Sequence, residues 1–362
     1  MRRLLVLVTA LGLSAPAWAL ETSSGPLDVL PVVTGLDAPW AFGFLPEGRL
    51  LITERDGKLL LVSDGALHEV DGLPEIAAVG QGGLLDVLVP RDFTQSRQIF
   101  MSFAKPQGRG AGTALMRATL SVEERRLSDV RVIFEMERGT SGGQHFGSRI
   151  VEAPDGTLFL TIGDRGDRNS AQDLAIETGS VVRVKKNGEV PRDNPFLQTS
   201  GAQPEIWSFG HRNPQGAALD LYGQLFVVEH GARGGDEVNR VEPGRNYGWP
   251  VISYGTHYSG RKIGEGTEKP GMEQPEYYWD PSIAPSGMMV YSGRLWPEWK
   301  GNMFVGSLKF DYISRLDGSP LSEVEQLSGD ETLRVRDVRE APDGTIWFLS
   351  VGNGTLYRMA PN

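Results

Sequence analysis

Apolar and polar positions alternate along most of this chain in short runs, and a turn introduces each run. In APDGTLFLTIGD (153–164) a Pro/Asp/Gly turn leads into residues of period two, the mark of a strand with two different faces. The phrase returns as LPEGRLLITERDGKLLLV (45–62) and APDGTIWFLSVGNGTLYRM (341–359). Weaker copies are VPRDF…RQIFMSFA (89–104), LDLYGQLFVVEHG (219–231) and WPEWKGNMFVGSLK (296–309). Successive copies lie about 45 to 75 residues apart, room for a four-stranded sheet and a loop of variable length. Six units of this kind predict an all-β, six-bladed β-propeller of four-stranded antiparallel blades around a central channel. A pair of β-sandwiches is the alternative, but the recurrence of whole phrases favours the propeller.

Helical periodicity is scarce, and RNSAQDLAIETG (168–179) holds a turn or two at most. LDVLPVVTGL (27–36) is expected to pair with the C-terminal TLYRM and lock the ring. The irregular stretch from about Tyr254 to Pro285, rich in Gly, Glu, Tyr and Pro, reads as a folded surface excursion. No linker is long or polar enough to separate domains, so 20–362 reads as a single domain.

Composition narrows the picture. Arg2 and Arg3 precede an apolar core, Leu4 to Leu13, and a small-x-small site at Ala17-Trp18-Ala19, so 1–19 reads as a signal peptide for export to a periplasm. No later run reaches the roughly 18 apolar residues of a membrane helix, so no membrane insertion is expected. Cysteine is absent, which excludes disulfides and thiolate metal sites. The formal charge of −10 gives the chain no electrostatic reason to bind nucleic acid, and clustered cations then point to a local anionic ligand. Glycine supplies 46 of 362 residues, well above the usual ~7 %, which suits many tight turns.

In a propeller, loops from every blade converge at one end of the channel, so residues scattered at blade intervals can share a site. The first such set is cationic: Arg212 beside Asn213 in GHRNPQG, Lys309 in SLKF, and Arg334 and Arg336 in LRVRDV. One residue apart, Arg334 and Arg336 point to the same side of a strand, a costly arrangement unless an anion lies between them. A solvated strand face is the plain alternative. A second set suggests a hard cation: EHGARGGDE (229–237) is a glycine-rich loop flanked by carboxylates, and Glu237 with the carbonyl near Tyr247 is a possible second cation site. Most glycine loops after propeller strands are plain turns. The third element is His145 in SGGQHFGSR (141–149), an imidazole suited to taking a proton from a hydroxyl, with glycines that let a flat ligand approach. Gln81, in VGQGGLLDV, has the same setting and could donate hydrogen bonds. Taken singly, a histidine such as His145 is more often a satisfied structural one. His211 and His230 read as loop supports, and nothing recommends His68 or His257. Serine-hydrolase, zincin and nucleotide-loop motifs are absent. The Arg-Gly-Asp triplet in GDRGDRNSAQD reads as chance.

The ordered phrases GLDAPWAFGFLPEGRLLITER, GQGGLLDVLV, HFGSRIVEAPDGTLFLTIGDRG, DNPF, PEIWSFGHRNPQG, EHGARGGDE, NYGWP and VRDV resemble the soluble aldose sugar dehydrogenases, relatives of soluble quinoprotein glucose dehydrogenase. The resemblance covers about Val32 to Met359. It implies a propeller that holds pyrroloquinoline quinone (PQQ), a flat ortho-quinone with three carboxylates, and Ca2+. His145 matches the family's catalytic base, and Gln81, Arg212, Asn213, Lys309, Arg334 and Arg336 match its PQQ contacts. The carbonyls of Gly231 and Ala232 match the catalytic Ca2+ position, and Glu237 with the Tyr247 carbonyl matches a structural one. Four positions depart from the pattern. Ala232 stands where proline is frequent, Lys185 and Lys186 where relatives carry an acidic turn, and Gln144 where the glucose dehydrogenases proper carry a carboxylate. The last favours the broader aldose branch. The resemblance thus implies oxidation of an aldose sugar at its anomeric carbon to the lactone, with electrons passed to an external acceptor. A Ca2+-dependent propeller lactonase and a non-catalytic scaffold are the competing readings.

Overall fold

Each of the six turn-and-strand phrases becomes the hairpin between the first and second strands of a sheet in the computed structural model, which describes residues 18–362. Five sheets have four strands and the last has five, all paired antiparallel. The inner strands are Pro39–Phe44, Leu84–Leu88, Ile150–Glu152, Pro214–Leu219, Pro285–Val290 and Val335–Glu340. Each packs on the next and the sixth returns to the first, closing a six-bladed ring.

Blades touch on both faces, which explains how a strand can alternate in sequence and still be buried along its whole length. Leu158, Leu160 and Ile162 pack with Phe100, Leu115 and Phe134 of the second blade. Phe159 points the other way, against Ala217, Leu225 and Val227 of the fourth. The core is therefore six seams, one between each pair of neighbouring blades.

The ring closes as the sequence predicts. Gly25–Val33 pairs with the final strand, Thr355–Pro361, setting Val29 opposite Met359. Trp18–Thr22 adds an edge strand outside it. Residues 1–17 of the expected signal peptide lie outside the described residues. The expected helical turn is a short 3-10 helix, Arg168–Gln172. The surface excursion is displaced: it runs through 241–276, and Tyr277–Trp279, expected within it, is the outer strand of the fourth blade. Three consecutive aromatics favour a strand, and the surrounding Pro and Glu hide that signal. No helix among the described residues is long and apolar enough to cross a membrane.

The Pro/Asp/Gly hairpins lie at one end of the ring. At the other end, the mouth, gather the loops that enter the inner strands and leave the second strands. The final strand starts at the mouth, at the hairpin pairing Ser350 with Thr355, and finishes at the opposite end. Within the ring, Arg149 Nη1 lies 3.0 Å from Asp86 and 3.1 Å from Asp337, and Arg339 bonds the same two carboxylates at 2.6 and 2.8 Å. Asp86, Arg149 and Asp337 are buried, and Arg149, Asp337 and Arg339 line a cavity of about 350 Å³ between the inner strands.

Candidate active site

His145 sits in the connection into the third blade with φ 55°, in the left-handed region. Its N–H donates to Gln81 Oε1 at 2.8 Å, while the Gln81 N–H donates to the Gly143 carbonyl at 2.7 Å. Arg165 donates to the carbonyls of Gly142, at 2.7 Å, and Gln144. Two glycines make this packing possible. A Cβ on Gly163 would stand 2.2 Å from the His145 carbonyl oxygen, and one on Gly80 2.2 Å from that of Gly143. At these two glycines the space is taken by another stretch of backbone.

The imidazole is held through one nitrogen. His145 Nδ1 lies 2.6 Å from Asp164 Oδ1, and Asp164 also accepts from the Gly166 N–H and from Trp249 Nε1–H, each at 2.8 Å. Burial alone would raise the Asp164 carboxyl. The His145 contact, with Gly166 and Trp249, outweighs burial and holds it below the usual carboxylate value. Asp164 therefore stays ionised and takes the Nδ1 hydrogen. Nε2 is left with its lone pair and no hydrogen-bond partner among the described residues.

Gln81, Lys309, Arg334 and Arg336 share the wall of one cavity of about 440 Å³ with Arg55 and His230. Gln81 joins this cavity to His145. Arg334 does not belong to a strand, as its spacing suggested. With φ 53° it turns the chain just before Val335–Glu340, and its Nη1 donates to the Leu308 carbonyl at 3.0 Å. Arg336 Nη1 donates to Gln215 Oε1 at 2.5 Å, and its guanidinium lies 5.7 Å from the centre of the Trp40 ring. Burial, followed by the charges of Arg334 and Arg149, pushes Arg336 down to about 9. Among the described residues, none of Lys309, Arg334 and Arg336 forms an ion pair with a carboxylate. Three cations gathered without paired carboxylates have the chemistry to hold an anion.

Arg212 and Asn213 are buried beside it. Arg212 Nη1 donates to the His230 carbonyl at 3.2 Å, and Asn213 Oδ1 accepts from the Gly147 N–H at 3.3 Å. Arg212 Nε and Asn213 Nδ2 are buried donors without a partner in the described chain. Such groups are uncommon and call for a ligand atom.

Arg212 lines a second, much smaller void of about 10 Å³ with Glu229, His230, Gly231, Glu237 and Tyr247. That is the room of one water-sized sphere. The sequence places Gly231 with Ala232 at one cation and Glu237 with Tyr247 at another; the fold puts Gly231, Glu237 and Tyr247 around the same void. The Ala232 side chain packs with Ala171, Trp249 and Ile263. Burial, then the neighbouring Glu229, pushes the Glu237 carboxyl up to about 8, with Asp236 adding to the effect. No cluster of three or more His, Asp or Glu side chains among the described residues could hold a metal ion alone. The carbonyls of Gly231 and Tyr247 accept no hydrogen bond there, and with Glu237 they form the oxygen donor set that Ca2+ prefers.

His211 supports this region from below. Its Nδ1 lies 2.8 Å from Glu229 and its ring stacks on Tyr247 at 4.6 Å. His230 Nε2 donates to the Pro285 carbonyl at 2.7 Å, and burial, then Arg212, pushes this histidine down to about 3. It is neutral at any ordinary pH.

Sequence reasoning missed Asp164, Arg165 and Trp249. The Arg-Gly-Asp triplet, set aside as chance, contains Arg165, which is buried with its guanidinium over the Phe146 ring. A usable signal exists, because every second strand ends at the mouth. Arg55, Asp164, His230 and Lys309 each stand one or two positions beyond the end of such a strand.

A model of the glucose/sorbosone dehydrogenase family matches residues 36–358. The chain is 40 % identical over 370 residues to aldose sugar dehydrogenase YliI of Escherichia coli (strain K12), covering 99 % of each. It superposes on the crystal structure of the soluble aldose sugar dehydrogenase from Escherichia coli in the apo-form with a TM-score of 0.89, at 40 % identity, over 93 % of this chain and 100 % of that one. Against the PQQ-bound form of aldose sugar dehydrogenase from Streptomyces coelicolor the TM-score is 0.76 at 25 % identity, over 95 % and 99 %.

Proposed function

This chain belongs to the glucose/sorbosone dehydrogenase family and is a sugar oxidoreductase, and from that premise we propose that it oxidises aldoses at the anomeric carbon to lactones with PQQ and Ca2+. One observation carries the reading: Gln81 links a carboxylate-held histidine to a cavity where Lys309, Arg334 and Arg336 have no paired carboxylate among the described residues. The residues fit the quinone's chemistry. Lys309, Arg334 and Arg336 would hold its carboxylates, and Arg212 Nε and Asn213 Nδ2 supply donors that otherwise lack a partner. The carbonyls of Gly231 and Tyr247, with the Glu237 carboxyl, would hold Ca2+ in the void that they share. When bound, the quinone supplies a two-electron oxidising centre and Ca2+ a Lewis acid.

The chain's own residues position the sugar and manage the proton. His145 Nε2 takes the proton of the anomeric hydroxyl, and Asp164 keeps Nδ1 protonated so that Nε2 is the basic atom. The imidazolium formed lies against the Asp164 carboxylate, which stabilises it. Turnover requires an external electron acceptor. The basic and apolar leader supports work in the periplasm.

The test is dye-linked oxidation of an aldose panel by purified protein, with and without PQQ and Ca2+. Sugar-dependent dye reduction and lactone formation are expected only with both added. No sugar oxidation in their presence, or lactone hydrolysis without the quinone, overturns the proposal.

A further inference from the structure

A second open recess is larger than the reaction cavity. It is a groove of about 850 Å³ between the outer strand of the fourth blade, Tyr277–Trp279, and the fifth blade with its outer strand, Ser322–Leu327. Its walls combine two features. Tyr278 and Phe310 are each 43 % exposed. Tyr254 stacks on Tyr278 with ring centres 4.1 Å apart, which fixes Tyr278 as a rigid flat platform. Around these rings stand Glu276, Asp280 and Glu323, and no lysine or arginine lines the groove. Glu276 and Asp280 form no ion pair among the described residues, so their oxygens remain free acceptors.

This wall chemistry selects a ligand class. Unpaired carboxylates repel anions, so the cofactor of the neighbouring cavity has no place here. A sugar ring suits both features: its C–H face lies on an aromatic plane while its hydroxyls donate to carboxylates. The groove also adjoins the reaction cavity. Phe310 follows Lys309, whose Nζ lies 4.7 Å from the Phe310 ring, and Ile283 of the groove precedes Ala284 of the cavity wall.

We propose that this groove is a carbohydrate subsite. It holds the outer units of an aldose oligosaccharide whose reducing end occupies the reaction cavity. The inference rests on the sugar-oxidising reading for its direction, but binding in the groove needs neither quinone nor turnover.

Trp279 lines the groove and reports occupancy. Protein without added PQQ is titrated with maltotriitol, cellotriitol and glucitol, none of which has an anomeric hydroxyl to oxidise, and tryptophan fluorescence is followed. At least one trisaccharide alditol should bind about tenfold more tightly than glucitol, with Tyr278→Ala abolishing the difference and Tyr278→Trp retaining it. In the PQQ-loaded enzyme, Tyr278→Ala should lower kcat/KM for the matching trisaccharide about tenfold and leave glucose unchanged. Equal binding of glucitol and both trisaccharide alditols, or an unchanged preference in a folded Tyr278→Ala protein, overturns the subsite. Tight trisaccharide binding without sugar oxidation would uphold the groove while refuting the dehydrogenase mechanism.

Discussion

The two ring nitrogens of His145 have separate roles because Asp164 holds Nδ1 at 2.6 Å while Nε2 has no protein partner. An asparagine at 164 could keep the Trp249 contact yet offer its NH₂ group to Nδ1, which would move the hydrogen to Nε2 and remove the base. Asp164→Asn is expected to lower kcat by ~10³ with little change in KM, measured by steady-state dye reduction. An equal rise in KM would show that the residue serves binding instead. His145, Gln81 and the cations could be read from the sequence because each stands in a phrase whose composition is odd for a structural turn. Asp164 could not. It ends TLFLTIGD, where an aspartate looks like an ordinary turn residue, and its partner lies 19 residues earlier across a blade boundary. Residue pairs of this kind become visible only once strand ends are assigned to one face of the ring.

Among the elements, the loop of 163–179 packs against the strand leaving the second blade, and Glu177 lies buried in that joint with its carboxylate accepting from the Glu137 N–H at 3.1 Å. Burial, with Glu205 nearby, pushes the Glu177 carboxyl up to about 7. A folded-state pKa above the unfolded value means that folding favours the neutral acid. The stability this gives is complete below about pH 4.5 and is lost as pH rises through about 7. Glu177→Gln keeps an acceptor and removes the charge. It should stabilise the protein at pH 8 by about 1–3 kcal/mol and have little effect at pH 4.5, read from guanidinium midpoints. The hairpins could be located from sequence because Pro, Asp and Gly at fixed offsets impose local geometry whatever the tertiary setting. Tyr277–Trp279 escaped notice because only three residues pair, and pairing with Asp236–Arg240 spans the whole excursion.

At the scale of the molecule, the ring has no single hydrophobic centre, and its axis is occupied by charge. Asp86 reaches Arg149 and Arg339, 63 and 253 residues along the chain, so three blades meet at one carboxylate. Removing it leaves two guanidinium groups inside the channel without one of their two partners. Asp86→Ala should cost about 3–5 kcal/mol in guanidinium denaturation, more than truncating an exposed carboxylate such as Asp64. A loss below 1 kcal/mol would mean that the axis is solvated and the network incidental. Composition could not reveal this network, since its members come from three blades and meet only when the ring closes. Closure by the N-terminal strand was legible because both partners are long alternating runs.

The course of the final strand has a practical consequence. Thr355–Pro361 leaves the mouth and finishes at the opposite end of the ring, so Asn362 emerges on the side away from His145. Immobilised on a bead or an electrode through that terminus, every molecule would stand with its opening toward the medium, accessible to sugar and to a diffusing dye.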